Sequence, residues 1–218
     1  MRRHDLITLK PDAVAQSVVC CTTDKAAHAV QQWIADGKAF VCPRQDPRSN
    51  TVQLGLAFVD HGVKHRTLVQ VRRADVLRAT SPHTLIDCLD LFDEKEATTL
   101  RDLAETLHAA DFPLFVFGSV AWEMIAGVPY RTAASDLDLL CDVSTMQDLR
   151  FVTKALVAAD RALPFRIDGE LRFPADAGVN WREVVAALTH HADIDVLVKS
   201  ETGVAMSTLA QLLDPAYA

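Results

Sequence analysis

The stretch FGSVAWEMIAGVPYRTAASDLDLL, residues 117–140, decides both the fold and the chemistry that the sequence predicts. It opens with Gly118 and Ser119 after an apolar run, and it closes with Asp136 and Asp138, which are separated by one residue. The apolar run predicts a strand, the segment after Ser119 predicts a short helix, and the alternating residues at the end predict a second strand.

Asp136 and Asp138 are predicted to lie on one face of a strand, because side chains two residues apart on a strand point the same way. Two like charges about 4 Å apart repel by ~4 kcal/mol at an effective dielectric near 20, so such a pair is expected to share a proton or bind a cation. Oxygen donors without histidine or thiolate favour Mg²⁺, or Mn²⁺, over zinc. Magnesium takes much of its shell from water and phosphates, which predicts phosphoryl or nucleotidyl transfer.

Gly118 and Ser119 complement the two acids as a phosphate-binding feature. A strand that leads into a helix through Gly-Ser presents backbone N–H groups at the positive end of the helix dipole. Glycine lets a phosphate approach the backbone, and the Ser119 hydroxyl adds a donor. A Gly-Ser pair alone is usually a turn, and an Asp-x-Asp motif alone is usually a solvated strand end. The two motifs in this order are much more specific for nucleotide chemistry.

The composition limits the class of protein. A chain of 218 residues fits one domain or two small ones, and a net charge of −7 argues against general binding to nucleic acid. No run of ~18 apolar residues predicts a membrane span. Lys10, Pro11 and Asp12 interrupt any signal-peptide core, so we expect a cytoplasmic protein. The five cysteines include no C-x-x-C pair, so buried thiols are expected rather than disulfides or a zinc site.

The remaining pattern predicts two regions that meet near residue 80. Residues 1–80 are predicted to form a small β-rich N-terminal domain, with a hairpin formed by 51–60 and 63–73. Residues 81–218 mix helical and strand periods, which favours an α+β catalytic domain with a mixed sheet. The elements predicted in this second region are helices at 94–109, 144–159, 180–189 and 206–213, and strands at 113–117, 135–140, 165–171 and 193–199.

The motifs resemble those of a known family. Gly118-Ser119 followed by Asp136-x-Asp138 resembles the nucleotidyltransferase superfamily, which has the polymerase-beta-like fold and uses the two acids to hold Mg²⁺ around a triphosphate. The longer set of motifs is similar to the malonate decarboxylase holo-acyl-carrier-protein synthases, which are phosphoribosyl-dephospho-CoA transferases. That set consists of RHDL (3–6), LGL (54–56), the stretch 117–140, RIDGELRFP (166–174), WREV (181–184) and VLVK (196–199).

This resemblance implies a defined reaction. The family transfers the phosphoribosyl-dephospho-CoA group of 2′-(5″-triphosphoribosyl)-3′-dephospho-CoA to a serine on the apo acyl-carrier subunit of malonate decarboxylase, and pyrophosphate is released. It implies Asp136 and Asp138 as catalytic acids and ligands of Mg²⁺ (or Mn²⁺), and Gly118 and Ser119 as substrate contacts. A metal or carboxylate near the serine would help to remove its proton, and a metal would neutralise the leaving pyrophosphate.

A third acid on a later strand is usual in that superfamily, and two aspartates compete for the role. Asp168 lies in RIDGEL, the first strand-like run after the helix that follows the acid pair, so chain order favours it as metal ligand or general base. The Asp168-Gly169 pair is equally a strong signal for a hairpin turn, and the sequence does not choose between the two interpretations. Asp195, in DIDVLVK, is the alternative third acid, and is otherwise the polar start of a strand.

Several cations are candidates for contacts with the substrate and the carrier. Arg131 lies just before the acids and Lys199 ends a strand, so both are predicted to bind phosphates, although isolated cations are more often surface charges. We expect the carrier protein to be acidic. The cluster of Arg72, Arg73 and Arg78 is therefore a hypothetical docking patch.

Three alternatives stay open. An ATP-dependent nucleotidyltransferase that modifies a small molecule or another protein would share Gly118, Ser119, Asp136 and Asp138. A sister enzyme would transfer the same group to the citrate lyase carrier. A decayed, non-catalytic binding module is disfavoured, because the acid pair is intact.

Overall fold

The structure is a computed structural model that describes residues 1–14, 17–19, 24–46, 48–190, 194–201 and 203–214. The chain forms two compact units. The first contains Met1–Pro82 and Trp122–Tyr130, and the second contains His83–Ala121 and Arg131–Ala218. Both strands and helices are present, which confirms the predicted mixed α+β class. No helix in the described ranges is long and apolar enough to cross a membrane.

The first unit is an antiparallel sheet that shares its core with helix α1 (Asp24–Ala35), and Trp122, Ile125 and Ala126 also pack against this core. Its strands in chain order are β1 (Leu6–Leu9), β2 (Ser17–Val19), β3 (Phe40–Val41), β4 (Thr51–Asp60), β5 (Val63–Arg72) and β6 (Val76–Thr80). They are arranged in the order β2-β5-β4-β3-β1-β6. The predicted hairpin is confirmed as the β4–β5 pair, in which Asp60 faces Val63 across a two-residue turn. Side chains alternate along these strands, so Leu54 and Val69 enter the core.

The second unit carries the acid motif in a mixed sheet. Its strands are β7 (Phe115–Phe117), β8 (Leu137–Asp142), β9 (Ile167–Phe173), β10 (Ala177–Asn180), β11 (Val196–Lys199) and β12 (Val204–Ser207). The helices that follow α1 along the chain are α2 (Glu94–His108), α3 (Gly118–Ala126), α4 (Met146–Ala162), α5 (Trp181–Thr189) and α6 (Leu209–Leu213). The strand order is β12-β11-β10-β9-β8-β7. Strands β8 and β9 are parallel because α4 crosses over between them, and the other neighbouring pairs are antiparallel.

The two faces of the second sheet differ in chemistry. Leu137, Leu139 and Ile167 are buried on one face, and burial of each such side chain contributes roughly 1.5–3 kcal/mol. Asp138 and Asp168 alternate with these residues, so both lie on the opposite face. The apolar residues thus anchor the two strands that present the carboxylates.

The segment 206–213 differs from the single helix predicted for it. Val204–Ser207 forms β12, which pairs with β11, and α6 begins at Leu209 after a cap by Thr208. Strand β10 (Ala177–Asn180) is also absent from the sequence prediction. Apolar segments of four residues have no measurable period, so hydrogen bonding to a neighbouring strand decides their conformation.

The cysteines that the structure describes are buried thiols, as the composition predicts. Cys42, Cys88 and Cys141 are buried. Burial raises the pKa of the Cys88 and Cys141 thiols to about 12, so both are protonated at neutral pH. Cys20 and Cys21 lie outside the described residues.

Candidate active site

Three carboxylates, here called the acid row, lie at one end of the parallel strand pair: Asp136, Asp138 and Asp168. Asp138 and Asp168 are register partners on β8 and β9. Asp136 immediately precedes β8, and its side chain is 39% exposed, whereas that of Asp168 is 26% exposed. Like charges on neighbouring strands are unfavourable, so the row requires compensating groups.

Gly118 brings the backbone of α3 against the Asp138 carboxylate. The φ angle of Gly118 is +66°, in the left-handed region that favours glycine. A Cβ atom at this position would overlap Oδ2 of Asp138, so the site needs glycine for a second reason. Ser119 follows as the second residue of α3 and is half-buried. The start of the helix and the acid row therefore meet, as the sequence order of the two motifs predicts.

Two polar side chains hold Asp168. Asn180 donates from Nδ2 to Oδ1 of Asp168 at 2.7 Å. Arg166 places Nη2 3.4 Å from Oδ2 of Asp168 and Nε 3.6 Å from Oδ2 of Asp136. The guanidinium therefore lies between two members of the acid row and offsets part of their repulsion, although its exposure weakens the interaction.

The hairpin interpretation of Asp168 and Gly169 is wrong, because both residues lie inside β9. Gly169 has a φ of +130°, and a Cβ atom there would overlap the backbone of Leu139 on β8. The glycine permits the two strands to approach closely beside the acids.

A second ionic contact lies on the same face of the sheet. Lys199 donates from Nζ to Oε1 of Glu170 at 3.0 Å. Glu170 is two residues from Asp168 on β9 and only 6% exposed, whereas the Lys199 side chain is 40% exposed. A buried carboxylate needs a paired cation, so the contact fixes the ammonium group of Lys199.

Arg131 is held at the start of the segment that leads to the acids. Its guanidinium donates to the carbonyl oxygen of Leu91 and stacks on the Phe92 ring, 4.5 Å from the ring centroid. These contacts position the chain, and the predicted role of Arg131 in phosphate binding stays a prediction. Asp195 is exposed before β11, and no hydrogen bond or ion pair among the described residues joins it to the acid row.

The predicted carrier-docking patch belongs to the first unit. Arg72 makes a two-point contact with Asp75, at 2.7 Å and 2.9 Å, so its charge is largely compensated within the chain. Arg73 and Arg78 are exposed. The patch therefore offers two arginines rather than three to a partner.

The donors available to a metal at the acid row are carboxylate oxygens. In the part of the chain that the structure describes, no group of three or more His, Cys, Asp or Glu side chains is arranged to hold a metal ion. Mg²⁺ commonly uses only one or two protein carboxylates and completes its shell with water and phosphate oxygens. Asp136 and Asp138 beside the Gly118 backbone fit such a site.

Two family models cover most of the chain. Residues 2–82 match the N-terminal domain of phosphoribosyl-dephospho-CoA transferase MdcG, and residues 84–210 match its C-terminal domain. The chain belongs to the phosphoribosyl-dephospho-CoA transferase family. This membership confirms the resemblance deduced from the motifs.

Relatives named phosphoribosyl-dephospho-CoA transferase share a substantial part of the sequence. The protein from Xanthomonas axonopodis pv. citri is 35% identical over 83% of this chain and 84% of its own. That from Xanthomonas euvesicatoria pv. vesicatoria is 34% identical over 91% and 90%, and that from Bradyrhizobium diazoefficiens is 30% identical over 91% and 86%. No solved structure matches the chain, so the nucleotidyltransferase fold stays a prediction.

The C-terminal family domain contains the whole acid row and two residues, Asn180 and Arg166, whose contacts with the acids the sequence does not predict. Asn180 has a recognisable signal as a helix cap, and it does accept the Arg182 N–H at 2.9 Å. Its second contact, with Asp168, depends on the pairing of β9 with β10. Arg166 is one of several cations that the sequence offers for substrate contacts, but nothing in the sequence predicts its contacts with Asp136 and Asp168.

Proposed function

We propose that this protein transfers the phosphoribosyl-dephospho-CoA group from 2′-(5″-triphosphoribosyl)-3′-dephospho-CoA to a serine of the apo acyl-carrier subunit of malonate decarboxylase. Membership of the phosphoribosyl-dephospho-CoA transferase family supports the donor group. The observation that carries the chemistry is the acid row, in which Asp138 contacts the Gly118 position and faces Asp168. We place this site in the nucleotidyltransferase class.

Asp136 and Asp138 are the residues that would hold Mg²⁺, or Mn²⁺. The bound metal would neutralise negative charge on the triphosphate and on the departing pyrophosphate. The backbone at Gly118 and the hydroxyl of Ser119 would contact phosphate oxygens, because the first N–H groups of α3, which begins beside Asp138, have no partner within the helix.

Asp168 is the proposed general base. The serine oxygen forms a bond to the phosphorus atom next to the ribose, the bond from that phosphorus to pyrophosphate breaks, and the serine proton passes to Asp168. Asn180 holds one oxygen of Asp168, which orients the other toward the substrate side of the sheet. Arg166 already neutralises charge at this point and would compensate the reacting phosphate.

Lys199 is proposed to contact the triphosphate. Its ammonium group is held by buried Glu170 on the face that carries Asp168, yet the side chain remains accessible. A fixed cation loses little rotational freedom when it binds a phosphate, so its position favours productive binding.

The experiment is mass spectrometry of purified apo acyl-carrier subunit after incubation with the protein, Mg²⁺ and the triphosphoribosyl donor. We expect a mass gain equal to the phosphoribosyl-dephospho-CoA group, located on a serine. The gain should be absent with Asp138→Asn and after chelation with EDTA, and it should return when Mg²⁺ is added back.

Parallel reactions separate the alternatives. ATP as donor tests a conventional nucleotidyltransferase, and the citrate lyase carrier tests the sister acceptor. A mass gain only with ATP, or only on the citrate lyase carrier, would contradict the proposal. Activity that persists in EDTA would contradict the metal assignment while leaving the transferase assignment in place.

A further inference from the structure

A shallow groove runs between α4 and α5 on the second unit. Its volume is about 510 Å³, and Asp160 near the end of α4 binds Arg182 near the start of α5 at 2.7 Å. The groove floor is apolar, with contributions from Val157, Val185 and Leu188. The two helices therefore meet at this ion pair and leave an apolar channel open to solvent.

Three cations on α4 line this groove: Arg150, Lys154 and Arg161. All three are exposed, and none makes an ion pair or a hydrogen bond through its side chain with another described residue. Residues separated by four positions are neighbours on a helix, so Arg150 and Lys154 form an unfavourable like-charge pair. The helix dipole accounts for Arg161 near the C-terminus of α4, but not for the other two.

The nearby acids do not relieve this repulsion. Asp148 is engaged at the start of α4 by Ser144 and Thr145. Asp160 accepts hydrogen bonds from Arg182 and from the N–H of Ile167. The chain has a net charge of −7, yet the three cations beside the apolar groove floor are not compensated by these acids. The groove therefore offers a surface for an external anionic partner.

We infer that this groove docks an acidic amphipathic helix of the protein substrate. From Arg150 to Arg161 the helix rises about 16 Å, which matches about three turns of a bound helix. Apolar residues of such a helix would cover the groove floor, and acids on its flanks would meet the three cations. The inference rests on the proposed function, in which the substrate is an acyl-carrier subunit that we expect to be acidic.

The position of the groove suits this role. Its Arg161 end adjoins Asp160, which binds the N–H of Ile167, the residue before Asp168. A protein seated along the groove would have one end beside the strand that carries the proposed base. The groove is thus a stronger candidate for carrier docking than the arginines of the first unit, where Arg72 is already paired with Asp75.

The test uses the full-length protein with the apo acyl-carrier subunit of malonate decarboxylase. The variants are Lys154→Gln and the triple charge reversal Arg150→Glu, Lys154→Glu and Arg161→Glu. Arg101→Glu, on the exposed face of α2, is the matched control. Binding is measured by fluorescence anisotropy of labelled carrier over a range of salt concentrations, and transfer is measured by mass spectrometry. Thermal melting establishes that each variant is folded.

We expect the triple variant to raise the KM for the carrier at least about tenfold and to flatten its salt dependence. Its KM for the nucleotide donor and its kcat at saturating carrier should stay within about twofold of the wild type, because the groove does not contact the reacting atoms. Lys154→Gln should have an intermediate effect, and Arg101→Glu should have none.

The two possible failures are distinguishable. Equal carrier affinity and an equal salt slope in the wild type and the triple variant would overturn the docking assignment, whatever the activity. Absence of carrier binding by the wild type would also overturn it. Groove-dependent carrier binding without transfer would support the docking assignment and overturn the proposed function.

Discussion

Asp138 on β8 and Asp168 on β9 are direct neighbours across a parallel strand pair, although a whole helix separates them in the chain. Two carboxylates directly opposite each other on neighbouring strands repel and lower the stability of the folded protein. The sequence nevertheless has an aspartate at both positions. A site that tolerates such repulsion is a candidate for cation and phosphate chemistry.

Replacement of the acids should remove activity without unfolding the protein. We expect Asp138→Asn and Asp168→Asn each to lower kcat/KM by about a thousandfold, since one removes a metal ligand and the other a base. Initial rates of transfer to the carrier provide the measurement, and circular dichroism verifies the fold. Asp195→Asn is the matched control and should retain activity within about twofold. Equal losses in Asp195→Asn and Asp168→Asn would contradict the choice of Asp168.

Gly118→Ala should disable the site through a steric clash. The new Cβ would displace the Asp138 carboxylate, and a shift of this kind can lower kcat by about a hundredfold. Gly127→Ala is a close control, because Gly127 has a φ of +70° but, apart from its chain neighbours, no atom of the described residues lies within 4 Å of its Cβ position. Both variants should lose roughly 1–2 kcal/mol of stability from the left-handed backbone. Comparable kinetic losses in the two would show that backbone strain, rather than Asp138, is responsible.

Asn180 should serve two separable purposes. Asn180→Ser keeps a good helix cap but shortens the side chain that reaches Asp168. We expect it to lower kcat by about tenfold with little change in the thermal midpoint or in the KM for the donor. Asn180→Ala should in addition lose about 1 kcal/mol of unfolding free energy. Thr145→Ala removes the cap of α4, so it should lose similar stability and no activity. A fall in kcat for Thr145→Ala would mean that cap loss alone explains the effect at Asn180.

The Arg72–Asp75 pair predicts a pH dependence of stability in the first unit. The hydrogen bond from Arg72 holds the pKa of Asp75 below its ordinary value of 3.8. Because the pKa of Asp75 is lower in the folded state than in the unfolded state, its carboxylate stabilises the folded protein above pH 3.8. This stabilisation is lost as the pH falls through the lowered pKa. Asp75→Asn should therefore melt below the wild type at pH 7, and the two should converge in acid.

Thermal melts from pH 7 down to about pH 2 provide this measurement, because the contribution of Asp75 falls only as the pH drops below 3.8. Asp46→Asn is the control, because the Asp46 and Arg48 side chains are 60% and 92% exposed and form only a loose pair. A constant difference between Asp75→Asn and the wild type over the whole range would contradict the linkage.

Much of the second unit could be predicted from local patterns. Helix α2, strand β8 and the helix cap at Asn180 all have signals within a few residues, because caps and periodic apolar residues are local properties. Strands β10 and β12 escaped prediction because four residues carry too short a pattern, although each pairs with the strand just before it in the chain.

The sequence alone was enough to predict the Gly-Ser and Asp-x-Asp motifs, the family and the mixed α+β class, since each depends on neighbours along the chain. Strand pairing decided the rest. The register of β8 with β9 places Asp168 beside Asp138. Gly169, which in sequence resembles a turn residue, lies inside β9 and allows the backbone of β8 to approach closely. The pairing of β9 with β10 brings Asn180 to Asp168. These contacts depend on the register of paired strands, which no local pattern specifies, so they exist only once the core has set the alignment of the strands.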